Sequence, residues 1–380
     1  MKAEVPTEGP ATRLATRLVF LVAGFGIACW APLVPFAKGR LALDDGALGL
    51  ILLCIGAGSV VAMLATGPLS ARYGSKPIIM GSGVALAVVL PTLSIAPTPL
   101  TLGAFLLLFG GALGSLDVAV NIHAIEVERA SDRPLMSGFH ALFSIGGFAG
   151  AGLMTLFLSA GVTTLQATLA CSALMLVAMV AARPRLLTSA RAEPGPVFVK
   201  PHGIVVLLAV LAMATFLAEG AMLDWSALLV TERKLAPPAQ AGIGYSLFAT
   251  AMTIGRLFGD AIVARLGDVR TLVIGGFIAV AGFIVLLTAG APIALGGFFA
   301  IGVGASNIVP VLFRRAGAQA SMPPALAIAA VTTLGYAGIL IGPAGIGFVA
   351  KAMGLAAAFW IVAALMALVP LTADRAAGGG

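Results

Sequence analysis

Charged residues are scarce in this sequence. Only 10% of its 380 residues are Asp, Glu, Lys or Arg, whereas about a quarter are charged in an ordinary globular domain. Hydrophobic residues make up 60% of the chain, and the mean hydropathy is +1.09. This balance excludes a water-soluble globular domain and predicts an integral membrane protein with many membrane-spanning helices.

Cysteine and histidine are also rare, with three residues of each. Cys29, Cys54 and Cys171 all lie in apolar runs, so we expect packing roles and no disulfide framework. The sequence shows no nucleotide-binding loop, metal-ligand cluster or nucleophile and base arrangement, so no enzyme activity and no cofactor are predicted. The net charge of +7 is spread between apolar runs, so no nucleic-acid partner is predicted either.

Twelve apolar segments are long enough to cross a membrane, which takes about 20 helical residues. They are predicted at 18–37, 47–70, 77–96, 100–125, 135–160, 163–182, 204–230, 240–263, 270–290, 293–313, 325–350 and 354–373. The longest polar interruption is rich in proline and basic residues, as exposed connections are. We therefore predict an all-α membrane fold of two six-helix bundles, residues 1–183 and 203–380, joined by a cytoplasmic linker at 184–202.

The basic residues indicate the orientation of the chain in the membrane. With the N-terminus in the cytoplasm, sixteen of the 22 Lys and Arg residues fall in cytoplasmic segments and five in external ones. This distribution satisfies the positive-inside rule and places both termini in the cytoplasm. The first residues contain prolines and acids without a small-residue cleavage site, so we interpret them as a retained cytoplasmic tail.

A short repeat relates the two predicted bundles. Met63–Gly74 aligns without gaps on Arg256–Gly267, 193 residues later, and both copies end in Ala-Arg-x-Gly. Each copy ends an even-numbered span at the cytoplasmic side. Parallel repeats of this kind are typical of transporters whose substrate site lies between two halves, so we predict pseudo-symmetric bundles.

The segment GPLSARYGSK, residues 67–76, resembles the loop signature of the major facilitator superfamily between spans two and three. The resemblance covers Leu18–Leu371 in span number, loop lengths and linker. The signature has an aspartate where this chain has Ala71. In the family that acidic residue helps to lock the outward-facing state. Arg72 is next to this position and is a gating candidate, although the acidic residue is missing.

Three further segments resemble the bacterial fucose-permease-like branch of that superfamily: LDVAVNIHAIEVER at 116–129, SGFHALFSIGG at 137–147 and LAEGAMLDWSALLV at 217–230. The resemblance implies secondary transport across the bacterial inner membrane by alternating access. We predict a monomer in the lipid bilayer that takes up a small polar, sugar-like solute by proton symport. Proton-driven export of metabolites or drugs is the alternative, and a receptor or scaffold without transport is a further one.

Polar residues inside spans four and five are the first candidates for the transport site, because ionisable groups at membrane depth are usually functional. Asp117 lies nine residues before Glu126, about 14 Å along a helix and therefore near the midplane. It shares a helix face with Asn121. We interpret Asp117 either as a proton-coupling carboxylate or as part of a hydrogen-bonded helix contact.

His140 and Ser144 form a similar pair on one face of span five. Ser144 matches the depth of Asp117 and His140 that of Asn121, so the two faces meet if the spans pack face to face. His140 is either a proton relay or a neutral histidine that bridges to Asn121. His123 points elsewhere on span four and is interpreted as interfacial.

Span seven contributes Glu219, Asp224 and Trp225. The two acids are five residues apart, so they project about 140° from each other unless the helix breaks, for which Gly220 offers a place. Glu219 is the better candidate for coupling or substrate binding, and Asp224 for a helix anchor or outer gate. Trp225 is either an interfacial anchor or a stacking surface for a sugar ring.

Spans eight and ten hold the remaining candidates. Arg256 and Asp260 are four residues apart and can pair on one helix face, as a structural ion pair or as a gate. Asn307 precedes Pro310, which frees a backbone carbonyl one turn back, so it lines a polar cavity or merely accompanies a kink. The glycine patterns at 146–152 and 335–345 predict close helix packing.

Overall fold

The computed structural model describes residues 9–131, 135–188, 200–322 and 324–377. Within these ranges the chain is all-helical, with short 3₁₀ turns and no strand. The helices are α1 (Pro10–Trp30), α2 (Val34–Arg40), α3 (Asp45–Tyr73), α4 (Ser75–Ile95), α5 (Pro99–Arg129), α6 (Met136–Ser159), α7 (Thr164–Ala182), α8 (Ile204–Glu232), α9 (Ile243–Leu257), α10 (Gly259–Thr288), α11 (Ile293–Ala305), α12 (Ile308–Ala318), α13 (Pro324–Met353) and α14 (Leu355–Ala377).

Local signals in the sequence account for several helix starts. Thr98 and Thr163 cap α5 and α7, each in a capping box with the residue three positions later, which satisfies backbone amides that have no partner inside the helix. Pro10 and Pro99 occupy first-turn positions, where a missing amide proton costs nothing.

Eleven helices in the described part of the chain are long and apolar enough to span a membrane. The multi-pass, all-α architecture expected from composition is therefore confirmed. The predicted span at 240–263 is divided, because α9 ends at Leu257 after 15 residues and α10 begins at Gly259. The predicted span at 293–313 is likewise broken, at Ser306 and Asn307 between α11 and α12.

The described residues form two compact units. Unit 1 comprises residues 9–33 and 54–188, and in it α1 packs most extensively against α6, while α4 packs against α5 and α7. Unit 2 comprises residues 34–53 and the described residues from 200 onward; α8 packs on α13, and α10 on α11 and α14. The division at the linker into two six-helix bundles stays a prediction.

Glycines allow close contacts between helices in each unit. A Cβ atom at Gly24, Gly146 or Gly150 would lie closer than 3.0 Å to backbone of the facing helix, where α1 crosses α6. The same holds in unit 2 for Gly338 of α13 against α8. Close approach at the two glycine patterns is therefore confirmed.

The Ala-Arg-x-Gly repeat has a backbone explanation. Gly74 and Gly267, the last residues of the two copies, have φ angles of 83° and 75°, a region that glycine enters without steric cost. Gly74 precedes α4, and Gly267 marks a kink within α10. Both copies thus end in a glycine with nearly the same backbone conformation.

Charged contacts join residues 34–53 to the rest of unit 2. Lys38 lies 3.4 Å from Glu232, and Asp44 lies 3.0 Å from Lys351, while Lys38 also pairs with Asp45 inside the segment, at 2.5 Å. A cavity of about 430 Å³ opens between this segment and the end of α8, lined mainly by apolar side chains. None of the predicted site residues lines that cavity.

Candidate functional site

The main polar cluster of unit 2 is built around Glu219, near the middle of α8. Its Oε2 lies 3.5 Å from Nη2 of Arg256, in the last turn of α9. The Glu219 side chain is 21% exposed and the Arg256 side chain 34%, so the ion pair is partly buried. The other oxygen of Glu219, Oε1, is buried and has no hydrogen-bond partner among the described residues.

Asp224 and Tyr245 extend this cluster along α8 and α9. Asp224 is 6% exposed, and its Oδ1 also lacks a hydrogen-bond partner in the described part of the chain. The Tyr245 hydroxyl lies within electrostatic range of Glu219, Arg256 and Asp224. Two acids, one guanidinium and one phenol are thereby brought into one region without a break at Gly220, since α8 runs unbroken from Ile204 to Glu232.

Tyr245 is absent from the sequence-based candidates, although a helical signal exists. It precedes Arg256 by eleven residues, which is about three turns and leaves the two side chains on nearly the same face of α9. A search for polar residues that share a face with Arg256 would have found it.

Trp225 does not take either of its expected positions. Its side chain is completely buried, and its Nε1 has no hydrogen-bond partner among the described residues. A buried ring offers neither an anchor at the membrane interface nor an open stacking surface for a solute. Trp225 is therefore a buried residue of α8, next to Asp224 in sequence.

The predicted helix face for Arg256 and Asp260 is interrupted. Phe258 lies between the end of α9 and the start of α10, so the spacing of four residues does not fall on one regular helix. Arg256 instead reaches across to Glu219. The side chain of Asp260 lies outside the described part of the structure.

Asn307 sits in the break between α11 and α12, and it is 8% exposed. Its Nδ2 donates a hydrogen bond of 3.1 Å to the carbonyl oxygen of Gly255 and lies 3.1 Å from the Ser306 hydroxyl. The expected break near Pro310 is present. The amide, however, contacts backbone of α9, the residue directly before Arg256.

Asp117 and Asn121 are joined in unit 1, as their spacing predicts. The Asn121 Nδ2 donates to the Asp117 carbonyl oxygen at 2.9 Å and lies 3.3 Å from its Oδ1. Both residues are half-buried on α5. The carboxylate therefore has a donor on its own helix and keeps partial access to its surroundings.

His140 and Ser144 lie on α6, but their helix does not face α5 over its length. It packs mainly against α1 and contacts α5 only locally, because the glycines of α6 draw α1 close. The ring of His140 meets Phe20 of α1 edge-on with centroids 5.1 Å apart, and the buried Ser144 hydroxyl lies 3.4 Å from the His140 carbonyl oxygen. The condition for the two polar faces to meet, face-to-face packing of spans four and five, is therefore not fulfilled over the length of α5 and α6.

His123 is fully buried, which corrects its interfacial interpretation. Its Nε2 accepts a 2.9 Å hydrogen bond from the Leu187 backbone amide, so the ring proton belongs on Nδ1, 3.4 Å from the Thr16 hydroxyl. His123 belongs to a buried stripe on one face of α5, together with Leu116, Val120 and Val127. The helical periodicity of this stripe in the sequence predicts that His123 is buried. His123 fastens the segment that follows α7 to the ends of α1 and α5.

Arg72 is exposed near the end of α3, and its guanidinium lies over the ring of Tyr73, 5.1 Å from the centroid. This contact is a cation–π pair between neighbours in sequence. In the described residues, no group of three or more His, Cys, Asp or Glu side chains could hold a metal ion.

Comparisons with known proteins agree with this architecture. The family model of the Major Facilitator Superfamily matches residues 18–320. An uncharacterized MFS-type transporter of Yersinia pestis is 48% identical over 367 residues, 96% of each chain. An uncharacterized transporter of Sinorhizobium fredii is 34% identical, over 93% of this chain and 95% of that protein.

Solved structures share the fold at low identity. A mutant of the nucleoside transporter NupG superposes with a TM-score of 0.80 at 11% identity, over 96% of this chain and 99% of the other. A bacterial homolog of the lysosomal transporter Spinster, inward-facing and occupied, gives 0.71 at 12% identity, over 96% of both chains. With its apolar helices and a family match over most of its length, the chain belongs to the major facilitator superfamily of membrane transporters.

Proposed function

We propose that this transporter couples the movement of a small polar solute to protons by alternating access, across the bacterial inner membrane. In this proposal the chain crosses the membrane twelve times in two pseudo-symmetric bundles and works as a monomer. Uptake by symport is the direction we favour. A sugar-like solute follows the narrower resemblance to the fucose-permease-like branch.

One observation supports the proposal more than the others: only one of the two carboxylate oxygens of Glu219 pairs with Arg256. Oε1 of Glu219 is buried without a donor among the described residues, and an unsatisfied acceptor in a low-dielectric region is costly. A proton or a solute hydroxyl would satisfy it. Protonation of Glu219 would also weaken its attraction for Arg256, which links the proton to the contact between α8 and α9.

Two further acids support proton coupling. Asp224 adds a second buried oxygen without a partner in the described part of the chain, near Tyr245. Asp117 in unit 1 is half-buried beside the Asn121 amide. Membrane-embedded carboxylates of this kind are the usual proton carriers of pumps and transporters.

The solute can be found by thermal-shift screening of the purified protein against sugars, polyols, nucleosides and related polar metabolites. Nucleosides belong in the screen because of the NupG fold likeness, although 11% identity transfers no substrate. A ligand that raises the melting temperature is then tested for exchange in proteoliposomes. Failure of every candidate in exchange, with the fold intact, would favour a receptor or scaffold.

Glu219→Gln tests the coupling. We expect the variant to exchange solute across the proteoliposome membrane yet to lose accumulation driven by a proton gradient, because glutamine cannot carry the proton. Glu232→Gln is the matched control on the same helix, at its exposed end beside Lys38. Accumulation by Glu219→Gln at the parental level would refute the assignment.

The direction of proton movement separates symport from antiport. Symport predicts that addition of solute outside right-side-out vesicles makes the external medium more alkaline. Acidification on the same addition would identify the exporter alternative.

A further inference from the structure

We propose that Asn307 is a positioning residue, which holds Arg256 opposite Glu219 by capping the end of α9. The sequence suggests a solute-lining role for this amide, but its contacts lead to backbone of a neighbouring helix. The inference rests on the proposed function only for its consequence in transport. The pairing itself can be measured without transport.

The capping contact satisfies a carbonyl that α9 leaves open. The last four carbonyls of a helix have no partner within it, and inside a membrane water does not replace them. Phe258 donates its amide to the Ile254 carbonyl oxygen. The next carbonyl, that of Gly255, accepts the Asn307 amide at 3.1 Å in a buried position.

Asn307 is turned away from the helix that it begins. It occupies the N-cap position of α12, where asparagine ordinarily accepts hydrogen bonds from the first turn, yet its side chain makes no such bond. The break is prepared by Pro310, which has no amide proton for the Ser306 carbonyl. The free turn thus presents the amide to α9 instead of to α12.

Two glycines fit the break against the junction of α9 and α10. A Cβ atom at Gly255 would lie closer than 3.0 Å to the Ser306 hydroxyl, and one at Gly259 equally close to Oδ1 of Asn307. The break between α11 and α12 therefore packs against the break between α9 and α10. This packing leaves little freedom for the backbone on either side of Phe258.

Arg256 lies between these two glycines, one residue after the capped carbonyl. Its backbone position is fixed by the Asn307 contact, and its side chain spans the distance to Glu219 on α8. Loss of the cap would let the end of α9 unwind and would displace the guanidinium. The expected result is a weaker ion pair, beyond any general loss of stability.

A double-mutant cycle separates these effects. Melting temperatures are measured in detergent for Glu219→Gln, Arg256→Gln and the double variant, first in the parent and then in Asn307→Leu. In the parent we expect a non-additivity of about 1–2 °C, and in Asn307→Leu a value near zero. Thr253→Val is the matched background, since its buried hydroxyl bonds within α9, to the Ala249 carbonyl.

Gly259→Ala provides a second route if Asn307→Leu does not fold. The added methyl group would displace Oδ1 of Asn307 and should reduce the same non-additivity, whereas Gly296→Ala on α11, with open space around it, should not. An undiminished non-additivity in Asn307→Leu or in Gly259→Ala would overturn the inference. Because no solute is needed, this outcome is independent of whether Glu219→Gln retains proton-driven accumulation.

Discussion

Asp44 is a single residue that serves two contacts at the start of α3. Its Oδ1 accepts a 2.8 Å hydrogen bond from the Ala47 amide, which makes it the cap of that helix, and its Oδ2 lies 3.0 Å from Lys351 of α13. The Ala47 amide, followed by Lys351, holds the pKa of the Asp44 carboxyl below its ordinary value. The ionised form is thus favoured by folding.

This shift fixes the sign of an acid effect. A depressed folded pKa stabilises the protein above the unfolded pKa, about 4 for aspartate, and the contribution disappears as pH falls through the folded value. We expect the melting temperature of the parent to fall below about pH 4 more steeply than that of Asp44→Asn. Melting curves recorded in detergent from neutral pH down to about pH 3 measure the difference.

Lys351→Met tests the order of the two causes. It keeps the Ala47 hydrogen bond, the largest single cause of the shift, so the acid sensitivity of this variant should lie between that of the parent and that of Asp44→Asn. An Asp44→Asn protein with the parental acid slope would contradict the assignment.

Local spacing predicts contacts within a helix better than contacts between helices. The pair of Asp117 and Asn121 follows from a four-residue interval and is observed. The same rule assigns Arg256 to Asp260, but the helix is interrupted and Arg256 pairs with Glu219, 37 residues away in sequence. No periodicity or spacing rule predicts a contact between two residues that lie on different helices, as Glu219 and Arg256 do.

At the scale of helices, the glycines of α6 offer a matched pair of substitutions. A Cβ atom at Gly150 would lie closer than 3.0 Å to the Phe25 carbonyl of α1, whereas one at Gly152 meets nothing within 4 Å. Gly150→Ala should therefore destabilise unit 1 by about 1–3 kcal/mol through overpacking. Gly152→Ala should be neutral or slightly stabilising, because alanine favours helix by up to about 1 kcal/mol.

Melting temperatures of the two alanine variants, measured side by side in detergent, check this prediction. Equal effects at Gly150 and Gly152 would mean that the crossing of α1 and α6 is looser than described. Both glycines belong to one pattern, residues 146–152, that the sequence marks without distinguishing its members. The neighbouring helix decides which of them is indispensable.

Helix lengths and apolar character could be predicted from the apolar runs, and the break near Pro310 from the proline, whereas the break at Phe258 could not. The limits of α8 and α14 lie within a few residues of the predicted spans. The interruption at Phe258 has no proline or exposed polar run to announce it; it lies where Ser306 and Asn307 pack against Gly255 and Gly259. Such a contact depends on two spans at once.

At the scale of the whole molecule, the number of crossings depends on α9. Its 15 residues extend about 22 Å, less than the roughly 30 Å of a hydrocarbon core. The predicted span is completed only if residues 259–266, ahead of the kink at Gly267, continue the crossing. The proposal of twelve spans with both termini in the cytoplasm assumes that they do.

Cysteine labelling of intact cells tests this assumption in one experiment. Single cysteines replace Pro97, Arg185, Gly290 or Ala320 in a parent without Cys29, Cys54 and Cys171; all four positions are exposed. With twelve crossings, a membrane-impermeant maleimide should label Pro97→Cys and Gly290→Cys, while Arg185→Cys and Ala320→Cys should react only after permeabilisation.

The pattern is diagnostic because a missing crossing changes the side of later positions and leaves earlier ones in place. If α9 and the start of α10 fail to span, the first two positions keep their sides, whereas Gly290→Cys becomes protected and Ala320→Cys becomes reactive. Exchange of both pairs would instead place the N-terminus outside, against the excess of basic residues in the predicted cytoplasmic segments. Each arrangement thus gives a different combination of labelled positions. Only the combination expected for twelve crossings is compatible with two bundles of the same orientation, in which both Ala-Arg-x-Gly segments lie on the cytoplasmic side of the membrane.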